Sequence, residues 1–339
     1  MRDNPITPTV DFAADGVQHG FLRLPYSRNE SAWGSIQIPV TVVKNGTGPC
    51  ALLTGGNHGD EYEGPLALLG LAQTLRAQDI SGTVIIIPFM NHPAFLAGTR
   101  VSPVDDVNLN RAFPGAPDGT PTAKIADYFQ RTLLPMADIV LDFHSGGKTL
   151  DFLPFAASHI LDDAEQMARC RAARDAFNAP FSVEMREIDG LGMYDDAAEM
   201  LGKTFVTTEV GGGGTATPET VGIARKGLHN LLIHAGIMQG TLDLSPTRVL
   251  TQPDDDCFHF ADTGGVIEFS VALGETVNKH DDIAHIWPAH YTGRPPRTIK
   301  AQMDGILTAR HHPGLVLPGD CVAVLAIETT TAPKKENQC

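Results

Sequence analysis

Two patterns predict an α/β fold, a mainly parallel sheet sandwiched by helices, with a smaller C-terminal all-β domain. Between residues 50 and 236, short apolar runs of strand length alternate with segments of helical spacing, as in strand–helix units that build a parallel sheet. Beyond Gly240 the helical spacing stops and brief β-like pieces recur between glycines and prolines. In order, residues 1–45 read as an N-terminal β segment of short strands, such as 36–43, and 50–54 as a short buried strand. Residues 65–76 read as a helix, with Leu66, Leu69 and Leu75 at helical spacing and Pro65 suited to the first turn. The run 83–88, apolar from Val84 to Ile87, is expected as a strand covered on both faces. Helix 122–134, strand 139–143, helix 162–177, strand 204–210 and helix 222–236 follow. The later β pieces are 265–269, 283–286, 305–307 and 321–325. The expected division is a catalytic domain over 1–245, a β domain over 246–330 and a flexible tail over 331–339.

Composition narrows the function classes. The 339 residues are 42% hydrophobic, ample for a buried core, and carry a net charge of −15. No basic run exceeds Lys334-Lys335, so neither nucleic acid nor an anionic membrane is an expected partner. No apolar run approaches the roughly 20 residues that span a bilayer, and the polar N-terminus, with Pro5 and Pro8, lacks the pattern of a secretory signal. The five cysteines are scattered without a Cys-x-x-Cys pair, which argues against disulfides and thiolate zinc and fits a cytoplasmic location.

The chemistry lies at the ends of predicted strands. The run Gly55-Gly56-Asn57-His58-Gly59-Asp60-Glu61 follows the strand at 50–54, His144 closes the strand at 139–143, and Glu209 follows the strand at 204–208. Ligand sites of open α/β sheets form at such carboxyl ends. A histidine with a glutamate three residues later, joined by a second histidine, is a catalytic zinc set. His58, Glu61 and His144 are therefore the candidate ligands of one Zn2+, which would acidify a water and polarise the scissile carbonyl. Glu209 is the candidate base, near the metal without ligating it. Asp142 is placed to hydrogen-bond a ligand imidazole. In Asn108-Leu109-Asn110-Arg111 an amide beside a guanidinium suits capture of a substrate carboxylate, and Arg100 is the candidate for oxyanion stabilisation. Gly211 to Gly214 lacks a Walker-type lysine; it suits close backbone approach beside Glu209 rather than phosphate binding. The remaining histidines from His92 onward, His159 among them, show no ligand spacing joined to another motif and read as surface or satisfied residues.

These motifs, together with Asp142-Phe143-His144 and Glu209-Val210-Gly211, resemble the succinylglutamate desuccinylase/aspartoacylase family in order, spacing and chemistry. The resemblance implies a zinc amidohydrolase with a carboxypeptidase-like α/β domain and a smaller β domain. It implies zinc on His58, Glu61 and His144, Glu209 as general base and acid, and Asn110 and Arg111 on a substrate carboxylate. Arg100 corresponds loosely to the family's carbonyl-polarising arginine, and Asn108 stands where the family often has aspartate. Residues 21–27 and 142–152 carry a narrower likeness to the branch that deacetylates N-alpha-acetyl-L-2,4-diaminobutyrate in ectoine breakdown. The residues between Glu187 and Glu209 agree: they hold Asp189, Asp195, Asp196 and Glu199, Lys203 as the only cation, and no arginine. An acidic wall suits a substrate with a side-chain ammonium, and Asp195 is the candidate contact; a solvated acidic loop is the bland alternative. The competing readings are a deacylase of an acidic N-acyl amino acid, a zinc carboxypeptidase, and a zinc-binding protein without catalysis, against which Glu209 speaks. The C-terminal segment resembles half-motifs of a biotinyl/lipoyl barrel without a lysine in the connecting hairpin. It reads as structural, narrowing the site mouth or supporting a homo-oligomer.

Overall fold

The computed structural model describes residues 3–185 and 191–329, so Glu187, Asp189 and the tail 331–339 lie outside the described residues. Gly16–Pro25 and Ser35–Asn45 form a long antiparallel hairpin. These strands of 10 and 11 residues replace the short strands expected there. Their burial alternates over much of their length, so the apolar run that marks a central strand is missing from the first of them. Ser35–Asn45 pairs antiparallel with Gly82–Ile87. From there the sheet runs parallel through Cys50–Gly55, Ile139–His144 and Thr204–Glu209. Phe155–His159 is antiparallel to Thr204–Glu209 and parallel to Phe181–Met185, which in turn pairs parallel with Arg248–Thr251. The sequence offered no strand at Phe155–His159, because Ala156, Ala157 and Ser158 carry no β-branched signal.

The parallel strands are apolar throughout because both faces are covered. Leu52, Ile85, Ile87, Val140 and Phe205 enter one core, while Leu53, Ile86, Leu141 and Val206 enter the other. The second core lies beneath Glu63–Thr74, Ala164–Phe177 and Pro218–His234, which pack on one another and on the sheet. Covering the first core, to which it contributes Ile125, Ala126 and Tyr128, the helix expected over 122–134 begins at Pro121–Tyr128 and then widens. In its π-turn Phe129–Leu133 the Leu134 N–H reaches back to Phe129 O, directly before Pro135, which has no N–H to offer. Gly64 lets the first large helix rest on the sheet, since a Cβ there would lie 2.1 Å from Phe143 Cβ. Gly64→Ala is expected to destabilise the fold by about 1–3 kcal/mol through overpacking. A thermal melt unchanged from wild type would contradict that contact.

The sheet continues past the α/β layers. Arg248–Thr251 also pairs antiparallel with Cys321–Glu328, which pairs with Gly305–His311. A separate four-stranded antiparallel sheet, in the order Arg297–Lys300, Asp282–Trp287, Gly265–Phe269 and Leu315–Val316, stands beside these strands, and Ile283, Ile286, Leu307, Val322 and Leu325 share its core. Gly305–His311 also pairs with Leu150–Phe152, in the loop that follows His144. Arg310 and Asp151 are joined across that pairing at 3.1 Å.

Candidate metal centre and substrate cleft

Cys50–Gly55, Ile139–His144 and Thr204–Glu209 are adjacent and parallel, so their carboxyl ends open on one side of the sheet. After the first strand the chain turns at Gly56, whose φ of 62° is a left-handed conformation that favours glycine. It then passes so close to a neighbouring turn that a Cβ on Gly59 would lie 2.0 Å from the Ala94 carbonyl carbon. That tight path carries His58 and Glu61 inward, to 3% and 2% exposure. His144 and Glu209 are register partners at the ends of the other two strands.

Three side chains converge there. His58 Nδ1 lies 2.6 Å from Glu61 Oε1, and His144 Nδ1 lies 3.1 Å from Glu61 Oε2. One donor atom from each of the three falls within 4.8 Å of the others, so the group can hold a metal ion. Hydrogen bonding around the trio suits that role. His144 Nε2 lies 2.9 Å from Asp142 Oδ2. An Nε2–H donated to this carboxylate leaves a lone pair on Nδ1, aimed at Glu61. A metal ion between them would take that lone pair, as a proton on Nδ1 does when no ion is bound. Asp142 is itself fixed, accepting from Thr54 Oγ1 at 2.8 Å and Asn57 Nδ2 at 3.3 Å. Burial works against the Glu61 carboxylate, but its interactions with the His58 and His144 imidazoles outweigh it and hold the carboxyl well below its usual range. Burial likewise opposes charge on His144, yet Asp142 and Glu61 raise it well above an ordinary histidine. Asp142→Asn is expected to weaken metal binding about 10–100-fold, as loss of such a supporting carboxylate does. Competition with a metallochromic chelator measures this, and unchanged affinity would remove Asp142 from the site.

Beside the trio is a cleft of about 140 Å³, lined by Arg100, Asn110, Arg111, Asp195 and Glu209 among others. Arg100 is half exposed, with Nη1 3.4 Å from His58 Nδ1 and 4.0 Å from Glu61 Oε1. Asn108 accepts the Asn110 N–H at 2.9 Å and so shapes the turn Leu109–Arg111. The Asn110 side-chain oxygen is already engaged, by Tyr194 N at 3.0 Å and Asn57 Nδ2 at 3.2 Å. Its amide can therefore offer a ligand N–H but not an acceptor. Arg111 Nη1 donates to the Asn110 carbonyl at 2.7 Å. Asp195 and Glu199 are buried on the short helix Tyr194–Glu199, so these two do not form a solvated loop.

Eight of the candidate residues, His58, Glu61, Arg100, Asn110, Arg111, His144, Asp195 and Glu209, thus line one cleft, with Asp142 behind His144. The glycines after Glu209 allow the expected close approach: a Cβ on Gly212 would lie 2.1 Å from Leu150 O. Sequence reasoning missed Asn57, which bridges Asp142 and Asn110, and the apolar lining from Leu150, Phe152, Met185 and Met193. Asn57 stood inside the histidine motif, but nothing local marked its partners.

A family model described as the succinylglutamate desuccinylase/aspartoacylase catalytic domain matches residues 47–235, a span that contains every one of these eight residues. The chain belongs to the succinylglutamate desuccinylase/aspartoacylase family. This is a family of amidohydrolases acting on N-acyl amino acids. The chain is 54% identical to the N-alpha-acetyl-L-2,4-diaminobutyric acid deacetylase of Halomonas elongata, across 96% of both chains. Its structure is similar to a product-bound ectoine utilization protein EutE (DoeB) from Ruegeria pomeroyi, with a TM-score of 0.96 and 59% identity, covering 96% of this chain and 100% of that one. A succinylglutamate desuccinylase/aspartoacylase from Rhodobacter sphaeroides superposes with a TM-score of 0.92 at 38% identity, over 97% of this chain and 100% of that one. The desuccinylase/aspartoacylase architecture thus extends through the C-terminal β strands. Among the described residues no helix is long and apolar enough to cross a membrane.

Proposed function

We propose that this protein is a zinc-dependent deacetylase that hydrolyses N-alpha-acetyl-L-2,4-diaminobutyrate to L-2,4-diaminobutyrate and acetate, in the breakdown of ectoine. The observation that carries the reading is the 54% identity to a deacetylase of that substrate along 96% of both chains. The donor set supports zinc, because two imidazoles and one carboxylate leave a coordination position for a reactant. His58, Glu61 and His144 would hold one ion per chain, and zinc there would supply Lewis-acid polarisation of the scissile carbonyl and a more acidic water.

The chain's own groups do the rest. Glu209 accepts a proton from the attacking water and returns it to the departing amide nitrogen, which leaves as an amine. Arg100 donates to the carbonyl oxygen as negative charge develops on it. Arg111 and the Asn110 N–H hold the α-carboxylate, which fixes the amide relative to Glu209. Asp195 receives the side-chain ammonium.

Amine release from four substrates tests the reading: N-alpha-acetyl-diaminobutyrate, its gamma isomer, N-acetylaspartate and N-succinylglutamate, each with a chelator control. Preference for the alpha-acetyl diamino acid is expected. Preference for either acidic substrate would discard the roles given to the substrate and to Asp195. Arg111→Ala is expected to raise KM about 10-fold or more by losing a charge-assisted contact, with a much smaller change in kcat. An unchanged KM would remove Arg111 from carboxylate binding.

A further inference from the structure

Asn57 sits on the turn after Cys50–Gly55, directly before the metal-trio residue His58. Its Nδ2 lies 3.3 Å from Asp142 Oδ2 and 3.2 Å from Asn110 Oδ1. An amide nitrogen carries two hydrogens, so it donates to both acceptors at once. The two acceptors belong to different parts of the site. Asp142 supports His144 at 2.9 Å, while Asn110 lines the cleft with Arg111. All three side chains are shut away from water: Asn57, Asp142 and Asn110 are 0%, 1% and 6% exposed. Asp142 Oδ1 accepts from Thr54 Oγ1 at 2.8 Å, and Asn110 Oδ1 also accepts the Tyr194 N–H at 3.0 Å. Asn57 Oδ1, by contrast, is buried without a hydrogen-bond partner among the described residues. The Asn57 amide is therefore held by its donors alone. Turned over, its oxygen would meet two acceptors, so the partners fix which end of the amide faces them.

We propose that Asn57 is a positioning residue for the substrate carboxylate: it ties the Asn110 amide to Asp142 and so fixes the carboxylate anchor relative to the metal trio. The inference rests on the deacetylase reading above, in which Asn110 and Arg111 hold that carboxylate. With two donors on its oxygen, the Asn110 side chain has only N–H groups left to offer a ligand. Without Asn57, the Tyr194 N–H alone would hold that oxygen, and the terminal amide torsion is a soft one. The α-carboxylate and the acetylated nitrogen of the substrate share one carbon. A substrate therefore reaches anchor and metal together only when their separation is fixed. A donor is required at Asn57, because both atoms it faces are acceptors. An aspartate of the same shape would set carboxylate oxygens against them, and a buried polar group left unsatisfied costs more than the bond it replaces. Asn57 acts on the substrate only through Asn110.

Wild type, Asn57→Ala, Asn57→Asp, Asn110→Ala and the double variant Asn57→Ala with Asn110→Ala are compared as full-length, zinc-loaded proteins. Melting temperature is recorded, and zinc affinity is measured by chelator competition. In Asn57→Ala, KM for N-alpha-acetyl-L-2,4-diaminobutyrate and the calorimetric Kd for free L-2,4-diaminobutyrate are expected to rise about 5–10-fold, the scale of one lost hydrogen bond. Its kcat is expected to stay within about threefold, because the reacting atoms are untouched. Zinc affinity stays close to wild type, since Asp142 keeps Thr54 and His144. On the Asn110→Ala background, loss of Asn57 is expected to add less than about twofold, because the two residues act as one unit. Asn57→Asp, with the same shape and no donor, is expected to lose at least as much as Asn57→Ala. Asn57→Ser takes the place of the alanine variant in the cycle if that variant does not fold. Wild-type KM and Kd in Asn57→Ala or Asn57→Asp, or a loss that repeats in full without Asn110, would overturn the proposal while the deacetylase reading stands. A wild-type enzyme that does not hydrolyse the diamino substrate would overturn both.

Discussion

Glu209→Gln is expected to lower kcat by about 10²–10⁴-fold, the usual contribution of a general acid–base group, while zinc content stays at the wild-type level. The carboxylate stands at the end of Thr204–Glu209, in register with His144 on the neighbouring parallel strand. It therefore reaches the cleft beside the trio His58, Glu61 and His144 without belonging to it. Glutamine keeps the size and a carbonyl oxygen but cannot take up a proton near neutral pH. The substrate's carboxylate contacts, assigned to Asn110 and Arg111, are untouched, so KM is expected to change much less than kcat. Steady-state kinetics and metal analysis on the same preparation check both halves. Retained turnover would assign the proton transfer to another group. Lost zinc would instead make Glu209 part of the metal site.

Removing the metal is expected to abolish deacetylation and to lower the melting temperature, with zinc restoring both. Glu61→Ala is expected to reproduce the loss irreversibly. The reason lies in the burial of the trio, whose His58 and Glu61 side chains are each 3% exposed. Two imidazoles and a carboxylate converge there out of reach of water, and an ion bound among them ties three separate chain segments together. An ion bound only by the folded state stabilises it by RT ln(1 + [L]/Kd), about 4 kcal/mol at a thousandfold excess over Kd. Calorimetric melts with and without chelator, and activity after zinc addition, test this. Full activity in thoroughly chelated protein would end the metal assignment, and a melt unaffected by chelator would deny the ion any structural weight.

The sequence made the metal trio and its base legible because each piece is local. His58 and Glu61 lie within four consecutive residues, Asp142 and His144 within three, and Glu209 directly follows a run of strand residues. Strand-end position then says where they meet, since parallel neighbours present their carboxyl ends on one side. Asn110 and Arg111 were readable as a polar pair. That the Asn110 oxygen is engaged by Asn57, 53 residues away, was not. The acidic stretch after Glu187 was visible as charge. The burial of Asp195 and Glu199 was not, because it follows from the packing of one short helix against a strand.

What the sequence determined by itself was the α/β class, the order of its main strands and helices and the identity of the chemical groups. Periodicity, apolar runs and motif spacing act over a few residues, and short-range pattern is what a sequence displays directly. The tertiary structure decided which groups share a cleft and which support them. His159 meets Glu199 across 40 residues, and Arg310 reaches Asp151 across 159, bringing a C-terminal strand against the loop after His144. Such contacts depend on how elements dock, and docking is set by the whole core rather than by any segment within it.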